Sequence, residues 1–300
     1  MAIPSMLLHD KISRRRALGM ISAGALAPLT GATPAQATHP HPHATDSCYS
    51  LDFTLPLDEL IGDLLHGERG DPHRESHVPH HLWYSHHHRH HLGSWGPGAR
   101  RYHPLEGLDD RPLEWRRERV VAAGARFIGY AYQHHHIPDW DPPAHWRWKH
   151  TCAGHNGKGV DCSNFTSFVY NQGFGIHMSS GIGQQAREHS ATFGPHHHAA
   201  LHRVELPRDY QARQEELRTG DLLYILGRDG GHVTHVVIWV GSIGRSPSSV
   251  PLIMDSHGGD VIDDDGRPIP CGIHLRPFRE DSWYNRCASH AHRVFGHPHG

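Results

Sequence analysis

Residues 160–170 read VDCSNFTSFVY, with one cysteine between an aspartate and a serine, just ahead of an apolar segment. Its apolar side chains recur at helical spacing, at Phe165, Phe168 and Val169. The spacing predicts a helix that begins at Cys162 and ends at Gly173 or Gly175, because glycine commonly terminates a helix.

The position of Cys162 at the start of this helix favours its ionised form. The first N–H groups of a helix lack intrahelical partners, and together with the helix dipole they stabilise an anion such as a thiolate. Asp161 is placed to cap the helix, and Ser163 adds a donor in the first turn. Cys162 is therefore a candidate nucleophile, and the alternative is that it forms one half of a disulfide.

Helical patterns come first along the chain, and strand patterns follow. PLEWRRERVVAAGARFIGYAY (112–132) predicts a helix ending near Gly129, and GIGQQAREHSA (181–191) predicts a second short helix after the one at Cys162. Four later runs are rich in β-branched and apolar residues and predict strands: GDLLYILG, HVTHVVIWVG, VPLIMDSHGG and GIHLRPF. Helices followed by strands predict an α+β domain with an antiparallel sheet.

Two of these strands carry residues that suit a cysteine nucleophile. HVTHVVIWVG supplies two candidate bases, His232 and His235, and His235 leads directly into the apolar run. A catalytic imidazole also needs an acceptor on its far side. The run LIMDSH offers Asp255 and His257, which share one face because side chains alternate along a strand. The alternatives without catalysis are that His235 is a core residue and that Asp255 caps a turn.

The segments GVDCSNFTSFVY, TGDLLYI and HVVIWVG resemble the signature blocks of the NlpC-type cell-wall cysteine peptidases, and FIGYAY resembles the block upstream of the nucleophile. The resemblance covers roughly Pro112 to the end of the chain. It implies a papain-like α+β fold in which Cys162 is the nucleophile and His235 the base. Tyr132 would be the supporting phenol, or only a packing residue, and Ser163 with Asp161 would lie in the substrate-facing first turn.

This chain departs from the family pattern at two positions. The third catalytic position is commonly histidine, whereas here it is Asp255; a carboxylate can hold the imidazole equally well. His257, two residues on, is the alternative orienting group. Asn164 stands where a small residue is usual, which would alter the wall of the cleft.

The resemblance implies a hydrolase that needs no cofactor and cleaves an amide bond in peptidoglycan stem peptides. The thiolate attacks the carbonyl, N–H groups at the helix start hold the oxyanion, and the histidine protonates the leaving amine. An alternative is a wall-binding module that keeps the fold without the activity.

The N-terminal sequence predicts export. A basic region (14–16) precedes a weakly apolar stretch (17–29) and a small-residue cleavage site that ends at Ala37, which is typical of a twin-arginine leader. The predicted divisions are a leader over 1–37, a histidine-rich, loosely ordered extension over 38–111, and the hydrolase domain over 112–300. No later segment reaches the roughly 20 apolar residues of a membrane span, so the mature protein is expected in the periplasm, cell envelope or medium.

Charge and histidine content limit the choice of partners. A net charge of -2 gives no electrostatic basis for binding nucleic acid. The chain holds 35 histidines, with adjacent runs at 86–91, 134–136 and 196–198. Runs of imidazole bind transition metals weakly, so metal storage is a second hypothesis, although no run has the spacing of a closed structural site.

Five cysteines follow the predicted leader, and an oxidising compartment allows four of them to pair. With Cys162 as the free thiol, the remaining four are Cys48, Cys152, Cys271 and Cys287. Three pairings are open; Cys271 with Cys287 closes the shorter loop, but spacing does not choose between them.

Overall fold

The structure is a computed structural model that describes residues 48–64, 102–129, 132, 160–193, 197–259 and 261–296. These residues belong to one compact unit, Pro40–Gly300. The helices are α1 (Leu57–Ile61), α2 (Leu113–Ala125), α3 (Cys162–Phe174), α4 (Ile182–Gln185), α5 (Tyr210–Glu216) and α6 (Trp283–Arg286). The strands are β1 (Ser50–Leu51), β2 (Ile176–His177), β3 (Ser190–Phe193), β4 (His197–Ala200), β5 (His202–Glu205), β6 (Leu222–Leu226), β7 (Val233–Trp239), β8 (Gly244–Arg245), β9 (Leu252–His257), β10 (Gly272–Pro277) and β11 (Ala288–Arg293).

A six-stranded antiparallel sheet forms the centre of the described fold, with strand order β10-β9-β7-β6-β11-β5. Its strands alternate between two buried faces. Val236, Ile238 and Met254 belong to the larger core, which also contains α2 and α3, whereas Val237 and Ile253 belong to a second core. Helices and an antiparallel sheet confirm the α+β class, and β6, β7, β9 and β10 fall where the sequence predicts strands.

Helices α2 and α3 form where the apolar spacing predicts them and pack closely against each other. Gly124 of α2 lies so near to Phe165 of α3 and Met254 of β9 that a Cβ at this position would crowd both side chains, and it would also touch Val169 of α3. Helix α3 ends at Gly175, whose φ of 70° lies in the left-handed region. A side chain there would also overlap the backbone carbonyl of His103, so this C-cap requires glycine.

The prediction of a loosely ordered extension over 38–111 is wrong for residues 48–64. Tyr49, Leu51 and Leu60 are buried in the larger core, and β1 pairs antiparallel with β8. Arg119 of α2 donates hydrogen bonds to the carbonyl of Leu60 and to the carboxylate of Asp63. The run LDELIGDLLHG (57–67) predicts one short amphipathic helix, which agrees with α1, whereas Tyr49 and Leu51 lie in no such pattern and reach the core only through the tertiary fold.

Some predictions concern residues outside the described ranges. These are the leader (1–37), Cys152, and the histidine runs at 86–91 and 134–136. Among the described residues, no helix is both long and apolar enough to cross a bilayer.

Candidate active site

The first turn of α3 is held by Asp161, as the sequence predicts. The Asp161 side chain is the N-cap: its Oδ1 accepts hydrogen bonds from the backbone N of Asn164 at 2.9 Å and from the Asn164 side chain at 2.7 Å. This cap satisfies one of the unpaired N–H groups of the first turn. It thereby fixes Cys162 as the first residue of a 13-residue helix.

Cys162 is a free thiol in contact with the predicted histidine. It is buried, with 7% of its surface exposed, and it is not part of a disulfide. It lies close enough to His235 to raise the pKa of the imidazole, which is itself 6% exposed. The disulfide alternative for Cys162 is therefore excluded.

His235 is held from its other side by Asp255. Its Nε2 lies 2.7 Å from Oδ2 of Asp255, so Nδ1 is the ring nitrogen left to face the thiol. Burial lowers the pKa of His235, but the charges and hydrogen bonds of Cys162 and Asp255 outweigh burial and raise the pKa to about 10. His235 is therefore an imidazolium at neutral pH, paired with the sulfur on one side and the carboxylate on the other.

Asp255 is fully buried and accepts from two further side chains. Arg276 of β10 donates from Nε to Oδ1 at 2.7 Å, and the hydroxyl of Tyr284 donates to Oδ2 at 2.9 Å. Burial alone would raise the pKa of Asp255, but the Arg276 guanidinium and the His235 ring reverse this and hold it well below its usual value. Asp255 is therefore ionised, and its role exceeds that of a turn cap.

His257, the alternative orienting group, contacts the side of the His235 ring. The two ring centroids are 5.3 Å apart and nearly perpendicular, while Nδ1 of His257 accepts a hydrogen bond from the backbone N of Gly259 at 3.1 Å. Burial lowers the pKa of His257 to about 3, so it is neutral. The hydrogen bond to the far nitrogen of His235 comes from Asp255 instead.

The other predicted residues lie in different surroundings. Ser163 is buried and donates its hydroxyl to the carbonyl of Ser180 at 2.6 Å, so this hydroxyl ties the first turn of α3 to the following loop. Tyr132 forms a parallel bridge with Val160, two residues before Cys162. His232 is exposed in the turn before β7, which leaves His235 as the base candidate that contacts the thiol.

Arg276 and Tyr284 are site residues that the sequence analysis missed. Arg276 is a charged residue inside an otherwise apolar strand run, GIHLRPF, which is a signal of a buried ion pair. No comparable signal marks Tyr284, because its contact with Asp255 depends on how α6 packs against the sheet.

The expectation of two disulfides among four cysteines is wrong. Cys271 is disulfide-bonded, whereas Cys48 and Cys287 are free thiols, so the short loop from Cys271 to Cys287 is not closed by a bond between them. Cys48 is instead packed against the larger core as a small apolar side chain.

One group of side chains in the described region has the spacing of metal ligands. Ligand atoms of Cys48, Asp263 and Asp265 lie within 4.8 Å of one another. Both carboxylates are already paired with Arg267, at 3.1 Å and 2.5 Å, and Oδ1 of Asp263 also accepts two backbone N–H groups. The positive charge of Arg267 and these backbone contacts account for the grouping as an ion-pair network.

Comparison with known proteins agrees with this geometry over part of the chain. Residues 147–286 match the model of the NlpC/P60 family, a narrower range than the sequence resemblance from Pro112 onward. No curated protein matches this chain.

Two solved structures are similar to part of the chain. One is an NlpC/P60 family protein from Bacillus cereus ATCC 10987, with 21% identity, a TM-score of 0.34, and coverage of 60% of this chain and 40% of the other. The second, from Staphylococcus aureus Mu50, is described as similar to lipoprotein, NLP/P60 family, with 16% identity, a TM-score of 0.33, and coverage of 64% and 44%. The chain thus spans less than half the length of either structure, and neither likeness supports a statement about activity.

The matched range encloses Cys162, His235 and Asp255, the three residues whose arrangement is described above. Over residues 147–286 this chain is similar to the NlpC/P60 family.

Proposed function

We propose that this protein is an exported cysteine peptidase or amidase that cleaves an amide bond in peptidoglycan stem peptides. The observation that carries the proposal is the continuous contact from the free thiol of Cys162 through the His235 ring to the buried carboxylate of Asp255. A thiol, a base and an orienting acceptor in this order make up the arrangement that nucleophilic catalysis requires.

In the proposed reaction the Cys162 thiolate attacks the carbonyl carbon of the amide, and a C–S bond forms. The oxyanion is stabilised by N–H groups in the first turn of α3. His235 then donates its proton to the amine nitrogen, and the C–N bond breaks to leave a thioester. Water attacks the thioester carbon while His235 takes a proton from that water, a C–O bond forms, and the C–S bond breaks to release the carboxylic acid and restore the thiolate–imidazolium pair.

The family match and the leader sequence support a cell-wall substrate. Members of this family act on the cell wall, and a twin-arginine type leader over 1–37 would deliver the enzyme there. A cysteine at a helix start and a histidine on an antiparallel sheet also support the proposal of a papain-like arrangement. Because residues 48–64 pack into the core, we propose that the folded domain begins near Cys48.

The proposal is tested by incubating purified sacculi with the parent protein, with Cys162→Ala and with Cys287→Ala. Cys287 is the matched control, because it is also a free thiol but is not one of the three contacting residues. We expect the parent and Cys287→Ala to release peptide fragments of the same masses, and Cys162→Ala to release none. Defined muropeptides in the same assay identify the bond that is cleaved.

The competing functions give different results. A wall-binding module would sediment with sacculi but release nothing, whether or not Cys162 is present. A metal-storage protein would carry tightly bound metal and lose stability on chelation, with no dependence on Cys162. Release of fragments by Cys162→Ala at the parent rate would remove the nucleophile assignment.

A further inference from the structure

Three side chains from three different elements fix the orientation of the Asp255 carboxylate. His235 and Tyr284 both contact Oδ2, at 2.7 Å and 2.9 Å, while among the described residues Arg276 alone donates to Oδ1, at 2.7 Å. Arg276 is therefore the group that holds the oxygen turned away from the imidazole. With both oxygens engaged, the carboxylate cannot rotate without breaking at least one charge-assisted hydrogen bond.

The same arrangement sets the charge of Asp255. Asp255 and Arg276 are both 0% exposed, so neither is stabilised by solvent. A carboxyl group buried without a cation takes up a proton, because burial disfavours its charged form. A neutral Asp255 could still touch the ring, but it would no longer stabilise an imidazolium at His235.

We propose that Arg276 is a positioning residue that keeps Asp255 ionised and directs Oδ2 towards His235, and thereby maintains the reactive thiol–imidazolium pair. The expected effect of Arg276 on catalysis rests on the proposed function. Its expected effect on the reactivity of Cys162 does not. The electrostatics of Asp255 agree with this role. Burial raises the pKa of Asp255, and the charge of Arg276 is the largest influence that lowers it.

A purely structural role for Arg276 is the competing explanation. Its Nη2 donates to the carbonyls of Pro270 and Gly272, at 3.0 Å and 3.1 Å, and so anchors the turn before β10. Nη1 is buried and has no hydrogen-bond partner within the described ranges. A buried ion pair with an unsatisfied donor is often no more stable than apolar residues of similar size, so stability alone does not explain this arginine.

Several other titratable groups also surround Asp255. His274 of β10 lies directly opposite Asp255 in the sheet register. The titratable or charged groups that act on Asp255, directly or through the imidazole, are His235, His257, His274, Arg276, Tyr284 and Cys162. Burial lowers the pKa values of His257 and His274 to about 3 and about 4, so both stay neutral between pH 5 and 8. The positive charge of Arg276, unlike that of His235, does not depend on Cys162.

The test measures how fast iodoacetamide alkylates Cys162 as a function of pH. The background carries Cys48→Ala and Cys287→Ala, and peptide mapping assigns the label to Cys162. Reductant is left out so that the Cys271 disulfide is kept. Arg276→Met is compared with Arg276→Lys, which restores the positive charge, and with Tyr284→Phe, which removes one donor from Oδ2.

We expect Arg276→Met to move the acid limb of the alkylation profile upward by about one pH unit, which is about tenfold in rate at a fixed pH below the midpoint. Arg276→Lys should restore most of the parent profile, and Tyr284→Phe should shift it less than Arg276→Met does. If Arg276→Met, or Arg276→Gln where the methionine variant fails to fold, keeps the parent profile and loses only thermal stability, Arg276 has a structural role and the inference is overturned.

Alkylation needs no wall substrate, so this result is independent of the sacculus assay. A shifted profile in a protein that does not cleave sacculi would leave the inference standing and reject the proposed function. A parent-like profile in Arg276→Met, together with muropeptide cleavage by the parent protein, would overturn the inference and leave the proposed function standing.

Discussion

At Asp255, burial and ion pairing act in opposite directions on the same carboxyl group. Burial would neutralise it, while Arg276 and His235 keep it charged. The charge of Asp255 then affects its neighbour, because Cys162 and the ionised Asp255 together favour a protonated His235. The chemistry of the thiol therefore depends on a guanidinium with which it has no direct hydrogen bond.

Asp255→Asn should destabilise the fold because it leaves Arg276 without a counter-ion. A buried charge that loses its partner costs roughly 3–5 kcal/mol. Urea unfolding monitored by circular dichroism measures this loss. The double variant Asp255→Asn with Arg276→Gln should recover a large part of it, because no unpaired charge remains. Equal stability of Asp255→Asn and the parent would show that the pair is not buried as described.

His257→Phe separates the two candidates for the orienting group. Phenylalanine keeps the ring packing against His235 but removes both nitrogens. Because the far nitrogen of His235 is held by Asp255, we expect the phenylalanine variant to retain most of kcat/KM on a muropeptide. Asp255→Ala should lose on the order of 10²–10⁴-fold. A comparable loss in His257→Phe would assign the orienting role to His257.

At the scale of single elements, local sequence predicts α2, α3, β6, β7, β9 and β10, because each has its own apolar period and its own end signal. The proposed nucleophile, base and carboxylate lie on three of these elements and could be named for that reason. Strand β11 was missed because two of its buried positions are histidines, His290 and His292, which read as polar. Arg276 and Tyr284 were missed because their contacts depend on sheet register and on the docking of α6, which no local pattern encodes.

The N-cap of α3 should matter for the site as well as for stability. Asp161→Ala removes the acceptor for the backbone N of Asn164, and Asp209→Ala removes the equivalent cap of α5, where Oδ1 accepts from the backbone N of Ala212 at 2.8 Å. Each loss should cost about 1 kcal/mol in the free energy of unfolding. Only Asp161→Ala should also lower kcat/KM, because only α3 carries Cys162.

Thermal unfolding and muropeptide kinetics of the two cap variants, measured side by side, check this expectation. Asp161→Asn is a further control, since asparagine is also a good N-cap and should preserve stability. If the two alanine variants lose activity to the same degree, the cap has no specific influence on the thiol.

Across the whole molecule, several histidines are buried in the neutral state. Burial lowers the pKa of His257 to about 3 and the pKa values of His274 and His292 to about 4, and it also lowers the pKa of His290. In the unfolded chain each of them titrates near 6.5. Between these limits the unfolded state binds more protons than the folded state, so the free energy of unfolding falls as the pH drops from about 6.5 towards 4.

This linkage predicts loss of stability in mild acid, with a slope of about 1.4 kcal/mol per pH unit for each proton taken up on unfolding. Urea unfolding at pH 7, 6 and 5 measures the slope. His292→Phe should reduce the slope, because it removes one of these titrating groups. Phenylalanine suits the position, since the ring lies against Tyr224 and the Nδ1 of His292 is buried without a partner in the described part of the chain. The exposed His232 is the control, and His232→Gln should leave the slope unchanged. A slope near zero in the parent protein would contradict the linkage.

The most direct test of the account is to trap the covalent intermediate. The parent protein is mixed with an excess of a defined muropeptide, quenched rapidly in acid, and analysed by intact-protein mass spectrometry and peptide mapping. We predict a thioester on Cys162 with the mass of the acyl half of the cleaved muropeptide. An adduct on another residue, or cleavage that continues undiminished in Cys162→Ala, would contradict the account.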